Sequence, residues 1–237
     1  MVLDPDPAGR IAERHAAPGA LARSDASSHA LQILTTEHWS LLSSRSLGYT
    51  EAMSRAALFI AALSGAVVAL ALVAQATDFG DGFVAFSLVL LPVVFFVGVV
   101  TIVRLGQINY EDALWVQGLN RLRYAYLELA PELEPYFVTS RYDDIYGVLA
   151  SALRSKARSP FQAVVAAPGL VAVLDSVVAG AAVGIAALGL DLGTGPAIGL
   201  GAVAFAIAFA AFVAYGLRTI REYRANLEVR FPSPQKT

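Results

Sequence analysis

The stretch 161-FQAVVAAPGLVAVLDSVVAGAAVGIAALGL-190 decides the class of this chain. It carries a single charged residue, Asp175, in a run long enough to cross about 30 Å of hydrocarbon as an α-helix. A carboxylate at such depth is expensive unless it is paired, protonated or facing water. The stretch is therefore read as a membrane span with one polar position that needs an account.

Three similar runs surround it. Residues 56–77, 82–103 and 192–217 contain no Asp, Glu, Lys or Arg. The chain is 57% apolar and 15% charged, with a mean hydropathy of +0.60. Soluble domains lie nearer about 45–50% apolar and about 25% charged. Four such helices buried in a soluble core would leave too little polar surface to cover them. The fold expected is all-α: a multi-pass integral membrane protein with four transmembrane helices arranged as two hairpins. There is no cysteine, which excludes disulfides, thiolate chemistry and cysteine metal sites. The first apolar run has no signal-peptide pattern and reads as a true span.

Charge sets the expected orientation. The two short gaps, 77-TDFGDG-82 and 189-GLDLGTGP-196, contain no Lys or Arg. All 17 basic residues fall before the first span, between the second and third, or after the fourth. Basic residues concentrate in cytoplasmic loops. Both termini and the middle region are thus expected on the cytoplasmic side of the inner membrane.

The chain divides accordingly. Residues 1–26, rich in Ala, Pro, Asp and Arg, read as a disordered cytoplasmic tail. Residues 27–54 read as an amphipathic or juxtamembrane helix, with Leu31, Leu34, Leu41 and Leu42 at helical spacing. It either lies in the interface or runs on into the first span, with Gly48 as a bend. The first transmembrane hairpin is 55–103, a cytoplasmic helical segment is 104–160, the second hairpin is 161–217, and 218–237 is a cytoplasmic tail. Within 104–160, the second span is expected to continue as helix to Pro131, where Pro131 and Pro135 break it. A further helix is expected near 141–157, with Asp143 and Asp144 in its first turn and Arg154, Lys156 and Arg158 at its end, matching the helix dipole. No Walker loop, dinucleotide fingerprint or metalloprotease histidine pair is present, so the chain is not read as an enzyme and needs no cofactor. No catalytic or metal-ligating set stands out.

Asp175 is the leading candidate for an ion pathway, with Ser176 beside it and Pro168 two turns earlier, where a proline can free a backbone carbonyl. The other spans offer no Lys, Arg or His to pair with it. Protonation, a bound cation, or a ring of carboxylates from several subunits would each account for it. Phe95 and Phe96 are candidates for a hydrophobic constriction. Gly180 and Gly184 in the third span, and Gly195, Gly199, Ala202 and Ala206 in the fourth, form small-residue stripes that suit close helix packing. Gln107, Asn109, Glu111 and Asp112, followed by Asn120, Arg121 and Arg123, are candidates for a cytoplasmic vestibule or partner surface. Arg218, Arg221 and Arg224 read as an interfacial basic anchor.

The stretch 31-LQILTTEHWSLLSSRSLGYTEAMSRAALFIAALSGAVVALALVAQA-76 resembles a group of small four-span bacterial membrane proteins, mainly from high-GC organisms, with no assigned function. That resemblance covers the N-terminal helix and first span. It implies the four-span architecture and no activity. The residues themselves point to a homo-oligomeric ion channel or pore for a monovalent cation or proton. The alternative is a structural or regulatory membrane subunit that binds a partner protein without transporting anything. The bilayer, further copies of the chain and such a partner are the expected contacts, and nucleic acid is not among them.

Overall fold

In hydrocarbon every backbone N–H and C=O must be satisfied within the protein, so the apolar runs are constrained to be helical. The computed structural model of the chain describes residues 18–152 and 167–234, with side chains over 27–152 and 168–234. Five α-helices are described: α1 (Pro18–Thr77), α2 (Asp81–Leu129), α3 (Ile145–Ala152), α4 (Ala167–Gly189) and α5 (Thr194–Ala225). A 3₁₀ helix, Pro131–Tyr136, follows α2. The described fold is all-α, and α1, α2, α4 and α5 are each long and apolar enough to cross a membrane. It is consistent with a multi-span membrane protein.

The helix α1 starts inside the stretch whose composition suggested disorder, and it runs unbroken through Gly48. At about 1.5 Å per residue it is about 90 Å long, far more than a bilayer needs. Gly48 is a contact point, not a bend: a Cβ there would meet the Trp115 ring at 2.6 Å. The second span also continues without a break, through Arg104 to Leu129. Pro131 and Pro135 stop it, as their missing N–H groups dictate. The helix after the break begins at Ile145, later than the expected start near 141, and is described as far as Ala152, so Asp143 and Asp144 precede it rather than lying in its first turn. The expectations for residues 1–17, for Arg154, Lys156 and Arg158, and for the start of the third span lie outside the described residues.

Tight turns join α1 to α2 and α4 to α5. Asp78 and Phe79 take positive φ (47° and 56°), as do Asp191 (55°) and Gly193 (80°). Aspartate tolerates that region better than most residues, because its short polar side chain bonds locally. The two turns lie at one end of the bundle, where Gly189 packs against Val84. The polar extensions lie at the other end, where Tyr215 of α5 reaches Gly106 and donates to the Val103 carbonyl at 3.3 Å.

Between the ends, α2 packs against both α1 and α4, and α5 packs chiefly on α4. Phe59, Leu91, Val94, Ile102, Leu105 and Val171 form the interior. Large apolar side chains such as Leu58, Val68, Val89 and Ile207 point outward. In water that surface would be costly, but lipid tails are as apolar as these side chains. Association of the helices then depends on close packing rather than on the hydrophobic effect.

Candidate functional site

Asp175 sits on α4 with both carboxylate oxygens buried and without a hydrogen-bond partner in the structure. Its seat is Gly98 of α2. A Cβ built at Gly98 would overlap the Asp175 carboxyl, lying within contact of Oδ1 and Cγ and 2.7 Å from Oδ2. Glycine is therefore what lets the carboxyl enter the seam between the two helices. Gly98 precedes Arg104 by six residues, about 9 Å along the helix axis, so the carboxyl lies nearer the polar end of the bundle than the turn end.

The hydroxyls of the spans do not serve Asp175. Ser176 is buried beside it and donates to the Ala172 carbonyl at 2.6 Å. Ser64, Ser87 and Thr101 likewise donate to carbonyls four residues back in their own helices. This back-bonding is the usual resort of hydroxyls inside a helix. Pro168 lies at the start of the described part of α4, about two helical turns before Asp175. Pro92 is inside α2, but its Leu88 partner carbonyl is about 15 Å along the axis from Gly98.

Arg104, the first cation after Gly98 along α2, is also engaged. Arg104 donates to both oxygens of Glu51, Nε to Oε1 and Nη2 to Oε2, each at 2.9 Å. It also bonds Glu111 at 3.2 Å and Gln107 at 3.3 Å. Arg55 adds a third bond to Glu51 at 2.8 Å. A belt of ion pairs thus closes the polar end of the α1–α2 seam. Arg45 to Asp112, 2.6 Å, continues it outward.

Phe95 and Phe96 separate. Phe95 turns inward, its ring 6.4 Å from that of Phe212, while Phe96 is 66% exposed on the outer face. The small residues separate too. Gly180 and Gly184 face α5, where a Cβ would meet the Gly201 carbonyl at 2.8 Å and the Ala197 carbonyl at 3.4 Å. Gly195, Gly199, Ala202 and Ala206 face outward, with open space around both glycines.

The vestibule candidates fall into three groups. Gln107 and Glu111 line a cleft of about 470 Å³ between α2 and α5, with Tyr215 and Arg218 opposite. Asn109 and Asp112 line a groove of about 500 Å³ on the α1 side, with Arg45, Tyr49 and Trp115. Asn120, Arg121 and Arg123 are part of a clamp. Asn120 is buried; its amide donates to the Tyr142 carbonyl at 2.7 Å and its oxygen accepts from Arg123 and Ser151.

Asp143, which the sequence marks only as an acid near a helix start, is the centre of that clamp. It is buried and accepts from Arg121 Nε at 2.8 Å, from Arg230 N and from Phe231 N at 2.7 Å. Its own N–H donates to the Phe231 carbonyl at 3.1 Å. Gln117 donates to the carbonyls of Asp143 and Glu228, Phe231 stacks on Tyr124 at 4.1 Å, and Asp144 accepts from Ser233 N at 3.0 Å. The segment after α5 therefore folds back along the α2 extension. Burial on its own would raise the Asp143 carboxyl, but the Arg121 guanidinium and the Arg230 and Phe231 amides outweigh it and hold it below the usual carboxylate range. Asp144 behaves alike: burial opposes, and the Ser233 hydroxyl and the Gly147 and Ser233 amides prevail.

No protein-family model, curated protein or solved structure matches the chain.

Proposed function

We propose that the chain is a homo-oligomeric ion channel or pore of the cytoplasmic membrane, passing a small cation or proton along a path that includes Asp175. The observation that carries this reading is the carboxyl of Asp175, buried in a span without a partner and seated on Gly98. An ionisable group kept at such cost inside a membrane is by default a candidate for an ion or proton pathway. The described arrangement is closed at that point, so conduction requires α2 and α4 to part. Two helical hairpins with cytoplasmic extensions and cytoplasmic termini follow from the absence of Lys and Arg in both turns. The outward row Gly195, Gly199, Ala202 and Ala206 supports close approach of a second copy.

The test is flux from liposomes holding the purified protein, wild type beside Asp175→Asn. Flux that is lost in the variant, with oligomeric state unchanged, supports the reading. A correctly folded wild type that passes no ion across a range of voltage and pH refutes it.

A second reading, a partner-binding subunit without transport, has one observation in its favour. Leu31, Ile33, Trp39 and Leu47 are exposed on the part of α1 that projects beyond the apolar run. Exposed apolar side chains of this kind suit burial against a partner. Stable co-purification of one protein, lost on replacing Trp39 and Leu47 with Ser, would favour it.

A further inference from the structure

Among the described residues Asp175 has no cation, hydroxyl or amide to bond, yet it is enclosed. What could occupy such a seat is limited by its donors. A metal cation that leaves water needs a shell of oxygens in exchange. Only one carboxyl is present here. The neighbouring hydroxyl of Ser176 is held by Ala172, and those of Ser87 and Thr101 by Phe83 and Val97. Among the described residues there is no group of three or more acidic, histidine or cysteine side chains that could complete a shell. The carbonyl freed by Pro92 is too far along α2 to contribute. A proton needs none of these: it binds one carboxylate oxygen and adds almost no volume to a seam that Gly98 has already closed.

The charges around the seat agree. From α1, residues 56–77 present no titratable side chain, and from α2 residues 82–103 present none. From α5, Tyr215 is the titratable group of the span, and its hydroxyl is engaged by the Val103 carbonyl. Arg104, at the polar end of the α1–α2 seam, is committed to Glu51 and Glu111. Among the described residues nothing offsets a negative charge on Asp175 while the seam is shut. An anion there must either take up a proton or admit water, and admitting water means separating α2 from α4 at Gly98.

We propose that Asp175 is a proton-binding site, that proton release and opening of the α2–α4 seam at Gly98 are one coupled event, and that the ion carried is the proton rather than a metal cation. The last part rests on the conducting reading above; the first two rest on the packing alone. Gly98 has the role of a positioning residue, since any side chain there would expel the carboxyl.

The experiment pairs two readouts on the full chain in liposomes. Infrared difference spectra across a pH titration look for the carbonyl stretch of a protonated carboxylic acid, its shift in heavy water, and its loss in Asp175→Asn. The heavy-water shift shows the band to be a carboxylic acid, and Asp175→Glu, which keeps an acid at the site, assigns it by moving its frequency even if Asp175→Asn does not fold. Flux is measured in parallel with a pH-sensitive dye and with potassium- and sodium-sensitive dyes. The expected result is an acid band that titrates away as pH rises, and proton flux without potassium or sodium flux. Absence of the band at every pH at which the protein is folded would overturn the site. A titrating band with no flux of any ion would keep the site and refute conduction. Flux of potassium or sodium comparable to that of protons would overturn the proton assignment while leaving conduction intact.

Discussion

The seat of Asp175 makes a prediction that needs no transport assay. Gly98→Ala adds one methyl group where the Asp175 carboxyl lies, with Oδ2 2.7 Å from the new Cβ and Oδ1 and Cγ in overlap. In the interior of a helix the exchange of Gly for Ala by itself favours the helix by up to about 1 kcal/mol. Overpacking a closed seam costs about 1–3 kcal/mol. The net effect in the wild-type background is a loss of about 0–2 kcal/mol. In an Asp175→Ala background the carboxyl is gone, the space is open, and the same substitution should stabilise by up to about 1 kcal/mol. The two sites are then coupled by about 1–3 kcal/mol, measured as the failure of the single-variant effects to add. The assay is reversible unfolding in mixed micelles at rising denaturing-detergent fraction, followed by circular dichroism, on the four proteins of the cycle. Effects that add to within about 0.5 kcal/mol would mean the carboxyl does not occupy the Gly98 seat, and the inference built on it would fall with it.

The clamp gives a second prediction. Asp143→Asn removes the charge from three hydrogen bonds and should weaken docking of the C-terminal segment by about 2–3 kcal/mol, raising amide exchange at Arg230 and Phe231 roughly 30- to 160-fold. Unchanged exchange there would show that the segment is held by other contacts. The pH dependence follows in sign. Asp143 and Asp144 are held below their ordinary range when docked, so their contribution is complete above that range and is lost as pH falls through the lowered values. Protection of these amides should be steady from neutral pH down to about 4 and fail below it; failure on the alkaline side would contradict the assignment. In the fourth span, Gly201→Leu should split α4 from α5, because its Cβ would meet the Gly180 carbonyl oxygen at 2.8 Å and a backbone cannot rotate away. Gly199→Leu has open space and should leave the monomer intact; if it lowers the oligomeric state instead, that face is where subunits meet.

The sequence by itself determined the helices and their spans. Charge-free runs of membrane length admit only helix in hydrocarbon, whatever they pack against. The prolines at 131 and 135 fixed where α2 stops, and the absence of Lys, Arg and His from the spans announced that Asp175 would have no basic partner within them. Which face each residue takes was decided by tertiary structure. Gly98 lies in a run of Val and Phe with nothing local to distinguish it; its role exists only because α4 crosses α2 there. Phe95 and Phe96 are adjacent in sequence and so lie about 100° apart around a helix, which is why one turns inward and the other out. The glycines of the third span became contacts with α5, while those at 195 and 199 were left facing outward, a division that composition does not encode. Asp143 reads locally as an acid near a helix start. Its partners, Arg121 and the amides of Arg230 and Phe231, come from positions far apart in the chain, and only the return of the C-terminal segment along α2 brings them together. Pairings between distant segments depend on the geometry of the whole bundle, so local pattern could give the helices but not the seam or the clamp.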